Sequence, residues 1–375
     1  MTVRRSSRLT CWVAMRSSLD FGGPSVGLKV SFESNAIILS LSRRYGRGSD
    51  NESSKVSFNV LVDRRAIPDL FDGMENESQN SHKYSAVIVG PGGLGASIAA
   101  QLQAAGHIVS VVGRHGPTDW RFAILNFGKL HQVILKKSLG AANNQPNAVF
   151  VCVRAYDLQQ ACRDVSEWAP GGTPVIVLGN GYFASELIQF QSLRPDLWWR
   201  PGMTSLAVTQ VGEGDYESRN HAPFLRWGSL DKTSREEPLP DEGTLVGGLV
   251  GAQWSSNIAA EVRRKWIFNT ALNTLCGAYQ LPRNGLARNF EPQLALLFRE
   301  AWQLAIELDG PTHMDPQEVW AQFLALIDAT QNNENSMARD VRLHIRTESE
   351  YLAGRAVGRY DFPNLKKLHA VLCGL

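Results

Sequence analysis

Six consecutive residues match the pattern G-x-G-x-x-G: Gly90, Pro91, Gly92, Gly93, Leu94 and Gly95. In this pattern the first glycine makes a tight turn, the second lets a pyrophosphate approach the backbone, and the third lets a helix pack closely on a strand. The pyrophosphate would lie at the N-terminus of the helix that follows. The pattern therefore predicts a dinucleotide site, with an ordinary tight turn as the alternative.

The residue at the end of the next strand determines whether the site prefers NAD or NADP. An acidic residue there would hold the ribose 2′-hydroxyl of NAD, whereas an arginine suits the 2′-phosphate of NADP. This chain has Arg114 at that position, followed by His115. We therefore expect NADPH as the cofactor; the alternative is that Arg114 is a solvated loop residue.

A second group of polar residues recurs at intervals of four: Lys265, Asn269 and Asn273. On a helix this spacing places the three side chains along one face. The residues beside them are apolar, and a polar stripe buried without partners would be costly. We therefore expect the stripe to line a cleft. The alternative is a solvated basic run at residues 263–265 with surface asparagines.

Alternating strands and helices must position the glycine-rich turn. Residues 86–89 form a short apolar run typical of a strand buried on both faces, and residues 96–105 favour a helix. Residues 107–112 predict a second buried strand. Together these segments predict a βαβ unit of about 30 residues, which is the context that a dinucleotide-binding turn requires.

Two more buried strands are predicted at residues 148–153 and 173–178. Ligands bind outside the carboxyl ends of such parallel strands. This rule points to Arg154 behind the third strand and to Asn180 behind the fourth. Asn180 precedes a glycine, so an ordinary Asn-Gly turn is the alternative at that position.

The second half of the chain changes in character. Short strands are predicted at residues 205–210 and 224–227, and only helices are predicted beyond residue 255. The chain is thus divided into an extension at residues 1–83, a Rossmann domain at 84–250 and a helical substrate domain at 251–375. The predicted helices span residues 258–275, 293–308, 316–330 and 336–353, the last with Ser336 as its N-cap.

Composition limits the classes of function. The 375 residues carry a formal net charge of +2, which predicts no nucleic-acid partner. The five cysteines have no metal-binding spacing, so we expect no metal and a reducing compartment. No run of 18 apolar residues occurs, which predicts no membrane span.

The first 18 residues are rich in arginine and serine and contain no acid before Asp20. This composition is typical of a mitochondrial presequence, so mitochondrial localisation is the expectation. A basic disordered tail, on a cytoplasmic protein, is the alternative.

In this order, the motifs resemble the ketopantoate reductase family (2-dehydropantoate 2-reductases) over most of residues 85–370. The resemblance rests on the glycine-rich turn, Arg114, the Asn-Gly pair at Asn180 and the stripe that begins at Lys265. A final group comprises Ser336, Asp340, Thr347 and Glu348. The resemblance implies an α/β fold in which a Rossmann-type dinucleotide-binding domain precedes an all-helical domain like that of 6-phosphogluconate dehydrogenase.

The resemblance also implies a role for each residue. Lys265 would be the general acid and Glu348 would orient substrate and cofactor as the second catalytic residue. The 2-oxo acid would be bound by Asn180, Asn269, Asn273 and Ser336. The glycine-rich turn, Arg114, Arg154, Asn180 and Glu348 would bind NADPH.

The implied reaction is the NADPH-dependent reduction of 2-dehydropantoate to pantoate, a step of coenzyme A synthesis. The expected partner is this small 2-oxo acid; a homodimer is the candidate assembly, and the sequence leaves the oligomeric state open. One departure is Arg154, where the family usually has lysine. A planar guanidinium cannot reproduce the contacts of a compact ammonium, so we expect the contacts with cofactor or substrate to differ there. The alternatives are reduction of another 2-oxo acid and a catalytically silent relative that serves as a binding module.

Overall fold

The computed structural model describes residues 26–33, 36–45, 54–63, 83–113, 119–126, 128–137, 145–218, 223–230 and 237–374. The chain divides into two compact units, Met1–Ser81 and His82–Leu375. In the first unit, β1 (Val26–Glu33), β2 (Ala36–Tyr45) and β3 (Ser54–Asp63) form an antiparallel sheet in that order. The predicted presequence, at residues 1–18, lies outside the described residues.

The second unit contains an eleven-stranded sheet whose centre is parallel. Side chains along the central strands alternate between two buried clusters: Ile88 and Phe150 face one cluster, and Val89 and Val151 face the other. This alternation buries both faces, as the apolar runs predicted. The central strands are, in spatial order, β5 (Ile108–Val112), β4 (Ser85–Val89), β8 (Ala148–Val151), β9 (Pro174–Val177) and β10 (Trp198–Thr204).

Further strands extend the sheet on both sides through a mixture of parallel and antiparallel pairs. Next to β5 lies a hairpin that the sequence patterns did not indicate, and a second hairpin follows it to the sheet edge. The strand predicted at residues 205–210 is confirmed only from Val208 onward, because the chain leaves the sheet after Thr204 and re-enters it at Val208. The outer strands are β6 (Asp119–Asn126), β7 (Lys129–Lys137), β11 (Val208–Gly212), β12 (Asp215–Ser218), β13 (Leu225–Trp227) and β14 (Ala252–Trp254).

Helices cover both faces of this sheet. On one face pack α1 (Gly93–Ala104) and α4 (Pro240–Gly247), and on the other α2 (Ala155–Trp168) and α3 (Leu187–Leu193). Because the parallel strands are joined by helices on both sides, the predicted Rossmann-type architecture is confirmed.

The chain beyond β14 is helical and has its own buried cluster. Its longest element, α5, is buried along most of its length and also packs on β10. The remaining helices surround α5, which confirms the predicted helical C-terminal part. The domain limits at residues 83 and 250 remain predictions. The helices are α5 (Ile258–Ala278), α6 (Glu291–Asp309), α7 (Pro316–Ala329), α8 (Ser336–Arg342) and α9 (Pro363–Gly374).

The helix predicted for residues 336–353 is wrong beyond Arg342. His344 has φ of +52°, which takes the chain out of the helical conformation. Its N–H donates to the carbonyl of Val341, and the N–H of Ile345 donates to the carbonyl of Asp340. These two bonds form a Schellman motif with a non-glycine residue in the left-handed position. Glu348 therefore lies in a loop.

No helix among the residues that the structure describes is both long and apolar enough to cross a membrane. Within the same residues, no three His, Cys, Asp or Glu side chains are grouped in a way that could hold a metal ion.

Candidate active site

The glycine-rich turn connects β4 to α1. Gly90 has φ of +87°, and a Cβ on Gly95 would lie only 2.4 Å from the carbonyl oxygen of Gly90. Backbone conformation and packing therefore require glycine at both positions. At Gly92, by contrast, a Cβ would meet no protein atom within 4 Å. The turn thus leaves open space in front of its second glycine, where a dinucleotide pyrophosphate needs to approach.

The N-terminus of α1 suits an anion. Gly92 is its N-cap, no side chain caps the helix, and its first turn contains no acidic residue. Free N–H groups and the helix dipole favour negative charge at such an end.

The remaining residues of the turn pack against the protein. Pro91 is buried and Leu94 is partly buried, while a Cβ on Gly93 would lie 3.0 Å from Val208. The shape of the turn therefore fits a dinucleotide. Arg114, which is predicted to bind the 2′-phosphate of NADP, lies outside the described residues.

Lys265 lies on α5 with its side chain partly buried against the end of β10. Its Nζ donates a hydrogen bond of 3.0 Å to the carbonyl oxygen of Thr204. Burial lowers the pKa of Lys265 to about 8, and the negative charge of Glu348 opposes this shift. A lysine with such a pKa can give up a proton near neutral pH.

Two asparagines predicted from the sequence share a narrow cleft with Lys265. Asn180 and Asn269 line this cleft beside the apolar surfaces of Met203 and Trp266, and its empty space of about 240 Å³ includes open solvent. Among the described residues, the Asn269 side chain has no hydrogen-bond partner, so its amide is available for a ligand. The predicted polar stripe therefore does line a cleft at its first two positions.

Glu348 is 5% exposed and connects the helical part of the chain to the Rossmann part. Its carboxylate accepts hydrogen bonds from the N–H of Ala155, at 2.8 Å, and from Nδ2 of Asn180, at 3.3 Å. Ala155 is the first residue of α2, so a distant loop residue caps that helix. Glu348 thereby holds Asn180 beside the cleft.

Arg154 also connects the Rossmann part of the chain to the helical part. Its guanidinium makes two contacts with the carboxylate of Asp340, at 3.0 and 3.1 Å, and lies 3.8 Å from Oε2 of Glu348. Burial raises the pKa of Asp340, and the positive charge of Arg154 opposes that rise. The planar guanidinium can form this two-point contact, whereas a lysine ammonium could not.

Asn273 and Ser336 do not line the cleft that contains Lys265. Asn273 is buried, and its Oδ1 accepts a 3.0 Å hydrogen bond from Nδ2 of Asn335. Ser336 is exposed as the first residue of α8, and the prediction that it is the N-cap is wrong. Asn335 is the N-cap, because its Oδ1 accepts from the N–H groups of the second and third helical residues. Asn273 therefore supports the segment that presents Ser336.

Comparison with known proteins places these features in a family. Residues 86–230 match the family model described as "Ketopantoate reductase PanE/ApbA", and residues 257–359 match the model of its C-terminal domain. The chain belongs to the ketopantoate reductase family. The resemblance inferred from the motifs is thereby confirmed.

Several curated 2-dehydropantoate 2-reductases are similar to this ketopantoate reductase family member. The protein of Shigella flexneri is 26% identical over 206 residues, which cover 55% of this chain and 65% of the relative. The match thus spans just under two thirds of that relative's length. The protein of Aquifex aeolicus is 22% identical over 297 residues, covering 72% of this chain and 88% of its own.

Solved structures support the fold. A D-mandelate dehydrogenase with NADH and anilino(oxo)acetate has a TM-score of 0.63 and 18% identity, covering 77% of this chain and 97% of its own. A probable 2-dehydropantoate 2-reductase from Bacillus subtilis has a TM-score of 0.61 and 17% identity, and the match covers 77% of this chain and 99% of the Bacillus protein. At these identities the likeness establishes the fold of the family member and no more.

Two residues of this site were missed by sequence reasoning. Asn335 carried a usable signal, because asparagine is a preferred N-cap and it directly precedes Ser336. Thr204 carried none, since its backbone carbonyl binds Lys265 and any residue type has a carbonyl. Contacts of this kind depend on where two distant segments meet.

Proposed function

We propose that this ketopantoate reductase family member reduces a 2-oxo acid to a 2-hydroxy acid with NADPH, and that 2-dehydropantoate is the substrate. The observation that carries the proposal is the position of Lys265, partly buried with a pKa of about 8 in a cleft that also contains Asn180 and Asn269. The names of the similar curated proteins support the choice of substrate.

The residues proposed to hold the cofactor begin with the turn from Gly90 to Gly95 and with Arg114. The open space before Gly92 and the uncapped start of α1 support the turn as a pyrophosphate site. When bound, the nicotinamide supplies a hydride to the carbon of the 2-oxo group. Arg154, Asn180 and Glu348 are proposed to bind further along the same molecule, and their mutual contacts support a shared site.

The proposed role of Lys265 is to supply the proton. As the 2-oxo carbon is reduced, the carbonyl electron pair moves to oxygen, and the negative charge that develops there must be stabilised and protonated. The Lys265 ammonium does both: Nζ donates its proton to that oxygen, becomes a neutral amine and is then reprotonated from solvent. Asn180, Asn269, Asn273 and Ser336 are proposed as neutral donors for the carboxylate and hydroxyl of the substrate.

The pH dependence of kcat/KM is expected to follow the Lys265 ammonium. Burial lowers its pKa to about 8, so the required proton is present below that pH and lost above it. We expect kcat/KM to be flat at neutral pH and to fall about tenfold per pH unit above about 8. Lys265→Arg should be slower and should lack this alkaline fall, since arginine stays protonated. An unchanged alkaline fall in Lys265→Arg would assign it to another group.

Alanine substitutions within the turn should separate folding from cofactor binding. Gly92→Ala is expected to leave the melting temperature unchanged, because φ of −71° suits alanine and its Cβ meets no protein atom. It should weaken NADPH binding about tenfold or more, equal to about 1.4 kcal/mol, by obstructing the pyrophosphate. Gly95→Ala is the contrast and should lower the melting temperature. Normal NADPH affinity in Gly92→Ala would exclude the turn as the binding site.

The experiment that tests the function is an initial-rate assay with a panel of substrates. NADPH and NADH are each offered with 2-dehydropantoate, pyruvate and phenylglyoxylate, while NADPH binding is followed by fluorescence. The highest kcat/KM should be obtained with NADPH and 2-dehydropantoate. A higher value with phenylglyoxylate would favour an aryl 2-oxo acid, a candidate suggested by the structural likeness to D-mandelate dehydrogenase. Cofactor binding without any turnover would favour the silent binding module.

We also propose that the protein is a homodimer and that it is located in mitochondria. A homodimer is supported by the dimeric ketopantoate reductase of Staphylococcus aureus, which has a TM-score of 0.60 and 18% identity and covers 77% of this chain and 98% of its own. Mitochondrial localisation rests on the composition of residues 1–18 alone.

A further inference from the structure

Thr204 is buried at the end of β10, and its hydroxyl makes two hydrogen bonds to the backbone around it. The Oγ1 donates to the carbonyl of Phe224 at 2.7 Å and accepts from the N–H of Leu206 at 3.0 Å. The second bond spans two residues along the chain and forms a local turn. The hydroxyl therefore ties the chain that leaves β10 to the segment that enters β13.

The carbonyl of Thr204 points away from β13. The N–H of the next residue, Ser205, donates to Phe224 across the two strands. Adjacent residues of a strand direct their polar groups to opposite sides, so the Thr204 carbonyl faces the side of β9. There β9 ends at Val177, which pairs with Pro201, three residues before Thr204. Among the residues that the structure describes, the carbonyl thus has no strand partner, and it accepts the hydrogen bond from Nζ of Lys265.

We propose that Thr204 is a positioning residue, whose hydroxyl holds its own backbone carbonyl in the place where that carbonyl binds the ammonium of Lys265. The proposal rests on the proposed function, in which Lys265 is the proton donor. A hydroxyl is needed at this position. Serine would keep both hydrogen bonds, whereas valine has the same shape as threonine and can make neither.

The arrangement sets the acidity of Lys265 through two opposing influences. Burial disfavours the ammonium, while the Thr204 carbonyl stabilises it as a hydrogen-bond acceptor. Among the described residues, Glu348 is the side chain whose charge affects the pKa of Lys265, and its negative charge also favours the ammonium. If the carbonyl were displaced, the ammonium would lose a stabilising hydrogen bond while the effect of burial remained. The pKa of Lys265 would then be lower.

The test measures the protonation of Lys265 without any substrate. Competitive labelling with acetic anhydride between about pH 6 and 10, read by peptide mass spectrometry on the full-length protein, gives the pKa of the Lys265 amine. Thr204→Val should lower that pKa by about one unit, a tenfold change in the ratio of amine to ammonium. Thr204→Ser should match the wild type. The alkaline limit of the kcat/KM profile should move with the labelling pKa.

Ser205→Ala is the matched control, because the Ser205 hydroxyl accepts a 2.9 Å hydrogen bond from the N–H of Phe224 in the same turn. It should leave the labelling pKa of Lys265 unchanged. If Thr204→Val does not fold, Thr204→Ala takes its place. An unchanged labelling pKa in the folded variant, or an equal shift in Ser205→Ala, would overturn the proposal. Failure of Lys265 as the proton donor would instead appear as retained turnover in Lys265→Ala, whatever the labelling shows.

Discussion

Lys265→Ala is expected to lower kcat by about 10²- to 10⁴-fold while NADPH still binds, because the variant has no group to protonate the developing alkoxide. The neighbouring donors, Asn180 and Asn269, are neutral and can orient a substrate without supplying a proton. The loss should therefore fall mainly on kcat, with a smaller change in KM. Stopped-flow and steady-state measurements of NADPH oxidation at saturating 2-dehydropantoate provide the comparison.

Arg264→Ala is the matched control for this variant. Arg264 is the preceding residue on α5, and its Nη1 donates to Gln322 on α7, away from the cleft. Its loss should leave kcat within about twofold of wild type, as expected for a substitution outside the site. Near-normal turnover in Lys265→Ala would remove Lys265 from the mechanism.

Glu348→Gln is expected to produce the second large effect, a loss of about 10²-fold in kcat/KM. The carboxylate accepts from both Ala155 and Asn180, and an amide offers one acceptor oxygen and presents a donor on its other side. Asn180 would then lose the contact that holds it beside the cleft. The negative charge that favours the Lys265 ammonium would also be lost, so the alkaline fall in activity should move to lower pH.

Glu350→Gln provides the comparison for Glu348→Gln. Glu350 pairs with Arg346 at 2.8 Å, and both side chains are more than half exposed. Exposed ion pairs of this kind contribute little to stability, so kcat/KM and its pH profile should match the wild type. Equal effects of the two substitutions would show that the role of Glu348 is not specific.

The features that were predictable from the sequence are those with local signals. A glycine-rich turn behind a buried strand specifies its own geometry, since Gly90 needs a positive φ and Gly95 needs close contact with the turn. The spacing of Lys265 and Asn269 likewise follows from helical periodicity, and both line the cleft. In each case the residues that carry the signal lie within a few positions of one another.

The position of Glu348 was not predictable in this way. Read locally, the segment that follows Ser336 is an ordinary charged helix, and nothing nearby distinguishes Glu348 from Glu350. The structure ends that helix at Arg342 through a left-handed His344 and buries Glu348 against Ala155 and Asn180. Those partners are more than 160 positions away in the chain. Burial of this carboxylate is therefore a property of the tertiary structure.

The same reasoning applies to the third position of the polar stripe. Helical spacing places Asn273 on the same face as Lys265, but it cannot say how far along that face the cleft extends. The cleft ends before Asn273, and there Asn335 donates a hydrogen bond to it. The stripe therefore combines residues that face the cleft with one that fixes the start of α8.

The most direct test of the central claim is isotope transfer from the cofactor to the product. NADPH carrying deuterium at the reactive C4 position is incubated with 2-dehydropantoate and the wild-type protein, and the product is analysed by mass spectrometry and NMR. The proposed function predicts one deuterium on C2 of pantoate from labelled NADPH, and none on C2 when heavy water is the only deuterium source. Deuterium entering C2 from heavy water, or no product while NADPH is bound, would contradict hydride transfer to a 2-oxo carbon at this site.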